Sequence, residues 1–254
     1  MTPKELAKLL QRDQYHVLDI VPQNFVELEH YLRSRAYTYR PGTRQLKIKM
    51  ASQIHASVSD WAAGLKFQGK ELNAFHPRDL LLVPGGRLIG FAGQYQGITK
   101  VPDCAIYPRG RSWPTIVFEV GYTEEYDDLK ADVKLLLEGS SGKISKVFLI
   151  KLDPIYGGVR KIQKGFIEAW KLSNGVATKD LGRENLYPIP KSHADQEYVL
   201  TFEEVFRNRL DALTNDGWDK DHILRLRLDD LRPCVEEGIW RHLVQKGVLV
   251  DNDN

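Results

Sequence analysis

The spacing of apolar side chains divides the chain into helical and extended stretches before any single residue is considered. Residues 3–12 and 22–32 carry apolar positions at helical spacing, the second through Phe25, Leu28 and Leu32 on one face. Over residues 37–50 the period shortens to two. Leu46, Ile48 and Met50 alternate with Lys47 and Lys49, and Pro41-Gly42 supplies a turn, which predicts a hairpin with one wet face. Ile54, Val58, Trp61 and Leu65 then restore the helical period. A turn-rich stretch over residues 68–100 leads into strand candidates at 101–107, 115–120 and 147–152, with a helical pattern over 124–137 between the last two.

A strand, a helix and a strand whose side chains are almost continuously apolar imply buried, partly parallel pairing. Residues 160–172 alternate weakly and add an edge-strand candidate. Residues 201–213 and 222–250 are helical by pattern, with a capping box from Thr201 to Glu204. The expected fold class is α/β, a mixed central β-sheet flanked by helices with a helical C-terminal appendage. The expected divisions are a helical segment over residues 1–24, a core over 25–197 and the appendage over 198–254.

Composition narrows the function classes. The 254 residues are 42% hydrophobic, enough for a real core, and 36 basic residues nearly balance 34 acidic ones. No net basic footprint announces a nucleic-acid binder, so any such role rests on where the charges sit. Two cysteines, Cys104 and Cys234, are too few for a disulfide framework or a four-ligand zinc site. No stretch reaches the roughly 18 apolar residues of a membrane span. The expectation is a soluble intracellular protein, cytoplasmic or nuclear, with no membrane role. With no Walker loop and no Gly-x-Ser-x-Gly elbow, no small-molecule cofactor is implied.

Two acids carry the chemistry. Asp103 follows Pro102 in one strand candidate, and Glu119 stands near the end of the next, inside Thr115-Ile-Val-Phe-Glu-Val120. An ionised acid in an apolar strand costs several kcal/mol unless it has a partner. A magnesium ion is one such partner, since it takes oxygen ligands and uses only one or two carboxylates; the carbonyl of Val120 would add a third oxygen. The alternative has Asp103 capping a turn and Glu119 pairing with a lysine.

The stretch from Val101 to Leu152 (Pro-Asp, a loop, an apolar strand ending in Glu, a helix, a second apolar strand) resembles the PD-(D/E)xK, restriction-endonuclease-like superfamily. It resembles more narrowly the Uma-type restriction endonucleases and their fungal relatives, whose upstream hairpin and histidine-bearing helix are echoed in Leu46 to Met50 and His55. The resemblance implies a restriction-endonuclease-like core that hydrolyses DNA phosphodiesters with Mg2+ or Mn2+. Asp103, Glu119 and the Val120 carbonyl would hold the metal.

One departure concerns the motif's lysine, expected two residues after the glutamate, where Gly121 stands. Some members of the superfamily supply this lysine from the following helix. At 100° per residue, Lys130 lies about 65° from the centre of the stripe made by Tyr126, Leu129, Val133, Leu136 and Leu137, against about 105° for Lys134. Lys130 is therefore the candidate, with an ordinary solvated helix lysine as its alternative. His55 is a candidate for orienting substrate, with a capping or packing role as its alternative, and Asp60 is expected to be solvated. Arg33 to Lys49 holds six basic residues and no acid, interleaved with Tyr37 and Tyr39. Arg40, Arg44 and Lys47 are thus candidate DNA contacts, a solvated face being the alternative. A second basic-biased region spans residues 143–171. Rival readings are a nuclease-derived binding module that has lost turnover, and an interaction protein whose C-terminal helices, with Arg225, Arg227, Asp229 and Asp230, dock a protein partner or a second copy.

Overall fold

The computed structural model describes residues 3–9, 15–32, 35–49, 53–156 and 159–250. Met50 and Arg33 lie outside them, as do residues 10–12 of the first expected helix.

The N-terminal part builds a small sheet. Helix α1 (Pro3–Leu9) precedes β1 (His16–Asp19), α2 (Pro22–Glu29), β2 (Tyr37–Arg40) and β3 (Gln45–Ile48). The expected hairpin forms between β2 and β3, with Tyr39 opposite Leu46, and Arg44 turns it in a left-handed conformation (φ 56°). With β5 (Thr99–Val101) the strands order as β1-β3-β2-β5. Phe25, Leu28, Tyr37, Tyr39, Leu46, Ile48 and Val101 make a core of their own beneath this sheet. The other side of the hairpin is not wet as expected. Thr38 and Lys49 are buried, because that side faces the main body rather than water, Thr38 against a helix and Lys49 against a strand of its sheet.

Among the described residues the main sheet has seven strands. Helix α3 (Gln53–Glu71) leads to β4 (Leu80–Pro84), β6 (Cys104–Pro108), β7 (Ile116–Gly121), α4 (Tyr126–Gly139) and β8 (Lys146–Leu152). β4, β6 and β7 run antiparallel in turn, and β7 pairs parallel with β8 across the α4 crossover. β9 (Gly165–Ser173) pairs antiparallel with β8, and β10 (Val176–Lys179) and β11 (Glu184–Tyr187) both pair with β9. The expected edge strand at 160–172 is therefore interior, since β10 and β11 supply partners that lie outside its own pattern. The structure is a mixed α/β arrangement with helices on both faces. Ile116, Phe118, Val120, Phe148 and Ile150 meet α3 on one face; Val117, Val147 and Leu149 meet α4 on the other.

The C-terminal stretch is less helical than expected. β12 (Glu197–Thr201) pairs with β13 (Ile223–Arg227), with α5 (Phe202–Phe206) and α6 (Leu210–Leu213) between them. The capping box from Thr201 to Glu204 is present. Helix α7 (Leu228–Gln245) closes the chain, and Leu228, Leu231, Val235 and Ile239 share one apolar cluster with α3 and the main sheet. Among the described residues no helix is long and apolar enough to cross a membrane.

Candidate functional site

Pro102-Asp103 joins β5 of the small sheet to β6 of the large one, and this placement brings the acids together. The β6–β7 register ends with Cys104 opposite Phe118, so Asp103 comes level with Glu119. Glu119 belongs to the α4 face, because its neighbours Phe118 and Val120 pack toward α3. It is fully buried.

The two acids meet on one cation, and that cation is Lys49. Its Nζ lies 3.1 Å from Asp103 Oδ2, 2.5 Å from Glu119 Oε2 and 3.4 Å from the Val120 carbonyl. The Val120 N–H donates to Asp103 Oδ2 at 2.7 Å, which fixes that carboxylate against β7. Lys100 Nζ lies 3.0 Å from Glu119 Oε1, an ion pair outside hydrogen-bond geometry, and 2.6 Å from Asp132 Oδ2. Asp132, on the inner face of α4, also accepts from Thr38 Oγ1 at 3.2 Å and has Arg40 Nη2 at 3.6 Å. A chain of alternating charge thus runs from Asp103 through Lys49, Glu119 and Lys100 to Asp132.

Burial and charge pull these groups in opposite directions. For Asp103, burial pushes the carboxyl up, but Lys49, His55 and Lys100 outweigh it and hold it below its ordinary range. Asp132 is likewise held low, burial being outweighed by Lys100 and Lys49. Glu119 goes the other way: burial dominates, the attraction of Lys100 and Lys49 only partly offsets it, and the neighbouring acids add to the rise. Lys49 is held charged well above its ordinary value, because Asp103 and Glu119 more than offset its own burial. The stability contributed by Asp103 and Asp132 is complete above the unfolded carboxylate value of about 3.9, and is lost as pH falls through their lower folded values. An Asp132→Asn variant should therefore lose less stability than the parent between about pH 4 and pH 2 in urea melts at stepped pH. Parallel acid limbs would refute that account.

The other expected site residues divide. His55 is buried at the start of α3, on the side of Asp103. Asp60 is exposed, as expected. Lys130 is outside the cluster: it pairs with Asp127 at 2.6 Å and lies 4.7 Å from the Tyr126 ring. Leu129 is the residue of that turn pressed onto the sheet, so Lys130, one position on, turns outward. Lys134 is exposed too. Of the candidate DNA contacts, Arg40 stands by Asp132, Arg44 pairs with Asp19 at 2.8 Å, and Lys47 pairs with Asp128.

Lys49, Lys100 and Asp132 are site residues that the sequence pattern does not single out. Asp132 lies about 90° from the centre of the apolar stripe of α4, on the side that the hairpin covers, and Lys100 stands inside the stretch Ile98-Thr99-Lys100-Val101, of which only the two ends are apolar. Lys49 continued the alternation of a face assigned to water.

Among the described residues no three His, Cys, Asp or Glu side chains are grouped to hold a metal ion. A cation here would have two carboxylates and a backbone carbonyl. Searches found no family model that matches the chain and no curated protein similar to it.

Proposed function

We propose that the chain hydrolyses DNA phosphodiester bonds with a divalent metal, on a core of the restriction-endonuclease-like kind. One observation carries this reading: the three oxygens expected as metal ligands, on Asp103, Glu119 and Val120, converge on a single positive charge. The element order adds to it, since α3, the antiparallel strands β4, β6 and β7, then α4 and the parallel strand β8 follow the expected sequence of parts.

The donor set fits a hard cation. Magnesium and manganese take oxygen ligands, and magnesium needs no more than two carboxylates, with water filling the remaining positions. Asp103, Glu119 and the Val120 carbonyl would hold the ion. When bound, it polarises a phosphoryl oxygen and lowers the pKa of an attacking water. The chain's own groups prepare the place. Val120 N–H orients Asp103, and Lys100 holds the far oxygen of Glu119 while anchored to Asp132. Arg40, Arg44 and Lys47 can grip a DNA backbone only by exchanging their present acidic partners for phosphates.

The test is cleavage of a supercoiled plasmid and of single-stranded oligonucleotides with Mg2+ or Mn2+. Wild type should cleave, and Glu119→Gln and Asp103→Asn should each fall to background. A second reading, a nucleic-acid-binding module without turnover, is favoured by Gly121 and by the burial of Lys49, whose side chain is only 4% exposed. It takes over if wild type binds DNA but cleaves nothing with any divalent ion.

A further inference from the structure

We infer that Lys49 is the lysine of the proposed reaction, held in the cation's place until a divalent ion displaces it. The inference rests on the hydrolytic reading and adds a residue and an order of events to it.

Lys49 Nζ touches all three candidate ligand oxygens, at 3.1, 2.5 and 3.4 Å. A magnesium ion binds oxygen at about 2.0–2.1 Å, so an ion drawing on these same oxygens would press against the ammonium. Two positive charges in a buried site at that separation exclude one another. Ion and ammonium therefore compete, and the carboxylates are neutralised in either state.

Lys100 does not share this property. It touches Glu119 from the opposite oxygen, is fixed to Asp132, and is fully buried. It can stay in place when the ion enters. Lys130 and Lys134 lie away from the acids, and position 121 has no room for a side chain, because a Cβ there would meet Leu129 Cδ1 at 2.2 Å. Lys49 is thus the cation beside the carboxylates that an ion must move. Once moved, it is the ammonium at hand to neutralise a bound phosphate.

The test measures Mn2+ binding by isothermal titration to full-length wild type, Lys49→Met, Lys49→Gln and Lys49→Arg. Removing the competing charge should tighten Mn2+ binding on the order of tenfold in the Met and Gln variants, and Arg should not tighten it. Glu119→Gln should abolish binding in every background. Turnover at saturating Mn2+ should fall on the order of a hundredfold in the Met and Gln variants, despite the tighter ion. The Gln variant keeps the measurement available if Lys49→Met does not fold without the ion. Unchanged or weaker Mn2+ binding in both neutral variants overturns the inference, and so does unchanged turnover at saturation. Tighter binding in the variants of a wild type that cleaves nothing supports the displacement and overturns the hydrolytic reading, and with it the part of Lys49 in a reaction.

Discussion

Replacing Lys100 with methionine is expected to lower the free energy of unfolding by about 3–5 kcal/mol, the usual loss when one partner of a buried ion pair is removed. The side chain is fully buried, and its ammonium is shared by Glu119 at 3.0 Å and Asp132 at 2.6 Å. Without it Glu119 keeps only Lys49, while Asp132 is left with the Thr38 hydroxyl and Arg40 at 3.6 Å. Urea unfolding at pH 7 measures the change. Lys100→Met combined with Asp132→Leu should lose less than the sum of the two single variants, because the second change removes a charge that the first left stranded. Simple additivity, or a loss under about 1 kcal/mol in the single variant, would show that the network relaxes around the gap.

A lysine placed at position 121 should not be accommodated. Gly121→Lys is expected to destabilise by about 3 kcal/mol or more, since overpacking alone costs 1–3 kcal/mol and an ammonium is buried besides. The new Cβ would lie 2.2 Å from Leu129 Cδ1 and 3.1 Å from its Cγ, with α4 pressed onto β7 at that point. Gly121→Ala should already lose part of this stability, and Leu129→Ala in the same chain should return some of it. A Gly121→Lys protein with wild-type stability and faster cleavage would overturn this packing account. Glycine at position 121 lets the helix lie this closely on the sheet.

The legible parts of this molecule are those whose signal is local. The hairpin and the strand–helix–strand unit sit within short windows and form as expected, and Asp103 and Glu119 lie side by side. The companions of the pair come from elsewhere. Lys49 is 70 residues from Glu119 in sequence and Asp132 is 94 from Thr38, and no periodicity reports which element covers a polar strand face. Lys47 and Lys49 alternate with apolar neighbours as residues facing water do, yet Lys47 meets Asp128 of α4, and Lys49 meets Asp103 and Glu119 of the main sheet. Strand β13 was missed for a different reason. Ile223-Leu-Arg-Leu-Arg227 has a period of two, but the helix that follows without a break absorbed it into a longer helical pattern. Lys130 was chosen by phase alone, and phase says nothing of which turn of the helix is pressed to the sheet.

The small sheet keeps its apolar side chains for its own core, and its hairpin meets α4 through Thr38, Arg40 and Lys47, with Tyr15 donating to Asp128 at 3.2 Å. Apolar faces tolerate sliding, whereas ion pairs and hydrogen bonds reward one alignment, so this seam sets the registration of one sheet upon the other. Opening along this seam would break the contacts of Thr38 and Arg40 with Asp132 and of Lys47 with Asp128. Such an opening is a sub-global event whose cost is electrostatic, and amide exchange in β2 and β3 would report it. Since Lys49 follows directly on β3, the movement that lifts the hairpin is also the one that draws the ammonium away from Asp103 and Glu119.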